Sequence, residues 1–304
     1  MTLSGFDHMT LSGFDDRDGF IWLNGSCVPW REARVHVLTH GLHYGSCVFD
    51  GERAYEGRSF RSRDHSQRLL HSAELLDMRI PYSVEELEAA KSQILELAGG
   101  GEKYIRSFAW RGSEMMALGA QFSRIHVAVA AWAWPSMFDP QTKMKGIYLD
   151  IAEYRRPGPR CAPVQAKAGG LYVTSTLSKH AAERKGCADA LMLDWEDSVA
   201  ECTGANIFFI ADGTLHTPTA DRFLNGITRQ TLIALSGERH ITVIERRIAV
   251  AELPSFSECF ICGTAAEITP VSQIGSCRFI PGKMTERLID AYAAKVREPD
   301  ARVA

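Results

Sequence analysis

The chain has 304 residues, 45% hydrophobic and 23% charged, enough for about two ordinary domains with sizeable cores. Its 34 Lys and Arg against 37 Asp and Glu leave a net charge of −3, which speaks against a basic nucleic-acid binder and an acidic disordered tail. No stretch approaches the roughly 18 consecutive apolar residues of a membrane span, and the start lacks leader character, so a soluble, cytoplasmic, mixed α/β protein of enzyme size is expected.

Residues 1–7 recur once as residues 9–15, so 1–16 read as a duplicated N-terminal segment and 1–8 as an artificial extension outside the fold. Phe20 to Leu23 reads as a strand, followed by Asn24-Gly25, a strong hairpin signal. Leu69, Leu70, Ala73 and Leu76 give residues 66–78 helical spacing. Ser83 and Glu86 form a capping box opening a second helix with Val84, Leu87, Ile94 and Leu97, stopped by Gly99, Gly100 and Gly101. Residues 125–134 are nearly uncharged, as a buried strand would be, and Pro135 ends them. Together 17–136 read as a small N-terminal α/β domain.

Residues 137–146 are polar and read as an interdomain linker, leaving 147–304 as a large C-terminal α/β domain. Residues 190–193 and 206–210 are strand runs, with a tight turn at 211–213. Gly226, Ile227 and Thr228 lead into a helix reaching Leu235; residues 240–248 alternate like a half-buried strand, and 284–296 are again helical. The eight cysteines lack the paired spacing of a disulfide framework and read as free thiols. Cys259 and Cys262 have CxxC spacing, but within a buried-strand run and with no second ligand pair, so no metal site is expected.

Two isolated charges carry the chemistry. Lys167 is one of nine lysines and the sole charged residue between Arg160 and Lys179. Its neighbours Ala166, Ala168, Gly169 and Gly170 let a planar ligand approach, the setting in which a lysine serves as a nucleophile. The plainer reading is a surface lysine on a small-residue loop. Glu201 is the only charge between Asp197 and Asp212, where a carboxylate needs a partner. An arginine would serve; so would a pyridinium nitrogen, which the pair keeps protonated and electron-withdrawing.

Anion cradles complete the set. Gly226 to Thr228 open a helix whose backbone N–H groups favour a phosphate, Gly263-Thr264 follow a strand with a second N–H and hydroxyl cluster, and Arg68 on the first helix adds a guanidinium. Lysine, carboxylate and phosphate cradle together describe a pyridoxal phosphate site.

The sequence also resembles a known family, the class IV (fold type IV) pyridoxal-phosphate aminotransferases, and most closely the branched-chain amino acid aminotransferases. The resemblance covers about residues 21–296 and is carried by the segments 35–45 with 48–53, 60–69, 104–106, 166–170, 199–201 with 204–208, 224–229 and 263–270. It implies a two-domain α/β (α+β) fold like that of D-amino acid aminotransferase, a pyridoxal 5'-phosphate cofactor and at least a homodimer. Lys167 would then carry the cofactor and shuttle the proton, with Glu201 against the pyridine nitrogen and Tyr172 near the ring's phenolic oxygen. Arg68, Ile227, Thr228 and Thr264 would hold the phosphate. Tyr44, Phe49, Gly51, Arg53, Tyr104 and Arg106 would line the substrate pocket, with Ala265 offering a backbone N–H to a carboxylate.

The implied reaction moves the amino group of a branched-chain L-amino acid to 2-oxoglutarate in a ping-pong cycle. Residues 107–119 depart from the family's Gly-rich loop, so Trp110, Arg111, Met115 and Met116 would alter side-chain preference, while Leu171 and Ala205 replace polar residues. The alternatives are an (R)-selective amine or D-amino acid transaminase on the same scaffold, an aminodeoxychorismate lyase using the same lysine for elimination, and a cofactor-free binding protein.

Overall fold

The computed structural model describes residues 13–134 and 144–298; the duplicated start up to residue 12 and most of the segment read as a linker lie outside the described residues. The described chain divides into two units, 13–134 with 165–172, and 144–164 with 173–298.

The first unit is built on a six-stranded antiparallel sheet. β1 (Phe20–Leu23) and β2 (Ser26–Pro29) form the expected hairpin, with Asn24 and Gly25 at φ 52° and 99° in the turn that matches strand twist. β3 (Cys47–Tyr55), β4 (Arg58–Ser59), β5 (Lys103–Arg111) and β6 (Ile125–Ala133) complete the order β2-β1-β6-β5-β3-β4. Between strands lie the short α1 (His40–Tyr44), α2 (Ser62–Glu74) and α3 (Val84–Leu97).

α2 begins four residues before the expected start at residue 66, because Arg61 turns left-handed at φ 53° and pairs with Asp64 at 2.5 Å. It stops at Glu74, where Asp77 turns left-handed at φ 52°. The capping box of α3 is formed in both directions: Ser83 Oγ accepts from the Glu86 N–H, and the Ser83 N–H donates to the Glu86 carboxylate. Leu69 and Ala73 of α2 and Leu87 and Ile94 of α3 pack with Val48, Ile105, Val127 and Val129 in one core.

The second unit holds a mixed nine-stranded sheet. Its strands are β7 (Ile147–Arg155), β8 (Asp189–Leu193), β9 (Val199–Cys202), β10 (Asn206–Ala211), β11 (Thr214–Pro218), β12 (Val243–Arg246), β13 (Glu258–Gly263), β14 (Glu267–Ile274) and β15 (Cys277–Arg278). They run in the order β12-β11-β10-β13-β14-β7-β8-β9, with β15 on β14. α4 (Tyr172–Arg184) starts on the last residue of the first unit; α5 (Ile227–Glu238) and α6 (Lys283–Lys295) follow.

After Asp189, β8 is apolar because it is buried on both faces: Leu191 and Leu193 join one core, Ala190 and Met192 another with Ala182 of α4. The strand expected over 240–248 is only Val243–Arg246, since His240 turns left-handed at φ 55° and Ala249 opens a 3-10 turn. Cys259 and Cys262 are buried within β13. Among the described residues no helix is long and apolar enough to cross a membrane.

Candidate functional site

The candidate residues gather into two clusters, one in each unit. In the first, the backbone of Lys167 is pinned on both sides. Its N–H donates to Ser72 Oγ at 3.0 Å, its carbonyl accepts from the Phe49 N–H at 3.1 Å, and Ala168 bridges Val48. The small residues around it answer that close passage: a Cβ on Gly169 would come 2.5 Å from Cys47 Sγ, and one on Gly45 3.5 Å from Gly170 Cα. Lys167 Nζ donates to Tyr172 Oη at 2.8 Å and sits 4.9 Å from the Phe49 ring centroid. Phe49 meets the Tyr172 ring edge-on at 4.8 Å, fixing the phenol.

Phe49, Gly51 and Arg53 alternate onto one face of β3, opposite Phe108, Arg106 and Tyr104 of β5. Tyr104 lies across β3, so that a Cβ on residue 51 would come within 2.0 Å of its hydroxyl. Arg106 Nη2 donates to that hydroxyl at 3.1 Å, and the guanidinium carbon lies 4.8 Å from the Phe49 centroid. Arg106 Nε is buried with no hydrogen-bond partner among the described residues. A half-buried cation flanked by a phenol and a ring face is an anion receptor with an apolar wall.

The other expected pocket residues lie off this focus. Arg53 turns to Glu102 and to the Tyr55 ring, 4.7 Å away, and is almost fully buried. Tyr44, exposed on α1, stacks on His40 at 4.6 Å. Trp110 and Arg111 are not in a loop, because β5 continues through them. Arg111 donates to the carbonyls of Ala120, Leu76 and Asp77, tying loop to helix end, and Trp110 stacks on His126.

Arg68 is held by a residue the sequence did not single out. Its Nε and Nη2 bond the two oxygens of Asp50 at 2.8 and 2.7 Å, and His65 Nδ1 shares Asp50 Oδ1 at 2.7 Å. Burial pushes the Asp50 carboxyl up, but Arg68 and His65 outweigh it and hold it well below the ordinary carboxylate range. The same pairing overrides the burial that opposes the charge on Arg68. Nη1 of Arg68 bonds nothing among the described residues, leaving one guanidinium corner for an anion.

In the second unit, Glu201 on β9 lies across from Met192 of β8 and pairs with the buried Arg156, Nε to Oε1 at 3.1 Å. Asn206, opening β10, places Nδ2 3.4 Å from Glu201 Oε2 and accepts the Gly226 N–H at 3.1 Å. Gly226 begins α5, which has no side-chain cap, and Thr228 in its first turn is buried with its hydroxyl 3.5 Å from Tyr292 Oη. The first-turn N–H groups and dipole of such a helix suit an anion. Thr264 and the exposed Ala265 form the β13–β14 turn.

Residues 47–274 match the family model described as amino-transferase class IV. The chain is 40% identical over 294 residues to a probable branched-chain-amino-acid aminotransferase of Rickettsia conorii, covering 95% of this chain and 100% of that one. It is 39% identical over 284 residues to a branched-chain-amino-acid aminotransferase of Pseudomonas aeruginosa, covering 91% and 92%. Among solved structures it is similar to the T.th. branched-chain amino acid aminotransferase complexed with N-(5'-phosphopyridoxyl)-L-glutamate. There the TM-score is 0.88, the identity 37%, and the coverage 93% of this chain and 96% of that one.

Proposed function

The chain belongs to the class IV aminotransferases, and from that premise we propose that it moves the amino group of branched-chain L-amino acids to 2-oxoglutarate in a ping-pong cycle. It is a pyridoxal-phosphate-dependent transferase. The donor set fits that cofactor: a primary amine beside a phenol, a carboxylate paired with arginine, and an uncapped helix start with a buried threonine. Lys167 would hold the aldehyde carbon, Tyr172 the phenolic oxygen, and Glu201 the pyridine nitrogen. Arg68, Ile227, Thr228 and Thr264 would hold the phosphate.

The bound cofactor supplies an electron sink for the pair left when the substrate's Cα–H bond breaks. The protein's part is to move that proton. The Lys167 amino group would take it from Cα and deliver it to the carbon that carried the cofactor's aldehyde, and Tyr172 Oη at 2.8 Å keeps Nζ in place for both transfers. Arg156 fixes the carboxylate of Glu201.

Substrate choice rests on the face of β3 and β5. Phe49 offers a leucine or isoleucine side chain an apolar wall, while Arg106 offers the distal carboxylate of glutamate a cation, so one pocket serves both halves of the cycle. Gly51 and Tyr104 complete its lining, and the Ala265 N–H would take the α-carboxylate. The observation that carries the reading is the Lys167–Tyr172 hydrogen bond under Phe49.

The chain acts in the cytoplasm as at least a homodimer. Support for self-association comes from Val35, Val37, Leu38 and Leu42, four large apolar side chains exposed within eight residues of the first unit. Lys167→Ala tests the catalytic assignment: the variant should bind pyridoxal phosphate without the visible absorbance of the wild type and turn over no substrate. Retained turnover would overturn it.

A further inference from the structure

We infer that Asn206 is a positioning residue that sets Glu201 and the start of α5 in register with each other, so that one cofactor meets both; this rests on the reading of Glu201 and Thr228 as cofactor-holding groups. Asn206 is buried, and every polar atom of its amide is engaged. Nδ2 donates to the Leu224 carbonyl at 3.1 Å and lies 3.4 Å from Glu201 Oε2, while Oδ1 accepts the Gly226 N–H at 3.1 Å. Glu201 stands on β9 and the phosphate cradle on α5, and a single planar side chain spans the two.

Gly226 shows what that contact demands. Its φ of −63° and ψ of 140° are open to any residue, so backbone strain does not call for glycine. A Cβ there would come 2.2 Å from Asn206 Oδ1 and 3.4 Å from its Cγ, while the next atom, Arg229 Cβ, lies at an ordinary 3.8 Å. Position 226 is therefore glycine on account of Asn206. The pair forms a lock that two independent substitutions open from opposite sides.

The test titrates full-chain protein, freed of bound cofactor by exchange, with pyridoxal phosphate and with pyridoxal, which lacks the phosphate. Wild type should prefer the phosphorylated form. Asn206→Ala and Gly226→Ala should each lower that preference about tenfold, the effect of one misplaced hydrogen-bonding group. The double variant should match Asn206→Ala alone, because removing the amide makes room for the new Cβ. A purely structural anchor would weaken both ligands alike and leave the preference unchanged; that result, or additive losses in the double variant, would overturn the inference. Gly226→Ala keeps the whole Asn206 side chain and serves if Asn206→Ala does not fold. A wild type that binds neither ligand would overturn the proposed function itself, and the inference with it.

Discussion

The Tyr104 hydroxyl occupies the place where a side chain on residue 51 would begin, 2.0 Å from a Cβ built on Gly51. Glycine is thus what lets the phenol lie across β3 and meet Arg106 at 3.1 Å. Gly51→Ala forces Tyr104 aside, an overpacking that should cost about 1–3 kcal/mol of stability. Because Arg106 loses its phenol partner, KM for 2-oxoglutarate should rise, which steady-state kinetics will register.

Arg106 separates the two substrates. Its buried Nε has no partner among the described residues, so a carboxylate arriving there gains a charge-assisted bond. Arg106→Met keeps the apolar reach beside Phe49 and removes the charge. KM for 2-oxoglutarate should rise roughly 10–100-fold, while KM for leucine stays within about threefold. Equal losses for both substrates would show that Arg106 does not discriminate.

Asp50 gives the fold an acid limit. Its carboxyl is held well below the ordinary range in the folded chain, by Arg68 and His65 against the effect of burial. An unfolded aspartate titrates near about 3.9. The stabilisation from Asp50 is therefore fully present above that value and is lost as pH falls below it. Asp50→Asn should lower stability at neutral pH by about 3 kcal/mol and flatten its decline below about pH 4, read from urea unfolding across that range.

Arg156 and Glu201 form a buried pair whose worth lies in being complete. Arg156→Met leaves the carboxylate without its cation and should cost about 3–5 kcal/mol. Bound pyridoxal phosphate should then dissociate faster on dilution, followed by loss of visible absorbance. Glu201→Gln, which is neutral, should relieve part of the stability loss when combined with Arg156→Met.

What the sequence made legible was local. The Ser83–Glu86 box, the Asn24-Gly25 hairpin and the strand run at 190–193 rest on neighbouring residues, and they form as read. Lys167 and Glu201 stood out because each is the single charge in a neutral run. The start of α2 was invisible, since its first turn is polar and apolar spacing marks only the buried stripe. Alternation over 240–248 ran on through residues that turn, so β12 came out shorter. Asp50, His65, Arg156 and Asn206 could not be found by spacing, because their partners come from distant strands and helices that only the folded sheets bring beside them.

The most direct test of the central claim is a half-reaction panel on the holoenzyme, recording conversion of the cofactor's absorbance to that of its amino form by single amine donors. L-leucine and L-isoleucine should convert it, and D-alanine and (R)-1-phenylethylamine should not. Conversion by the D-amino acid or the (R)-amine, with the branched-chain L-amino acids inert, would contradict the account.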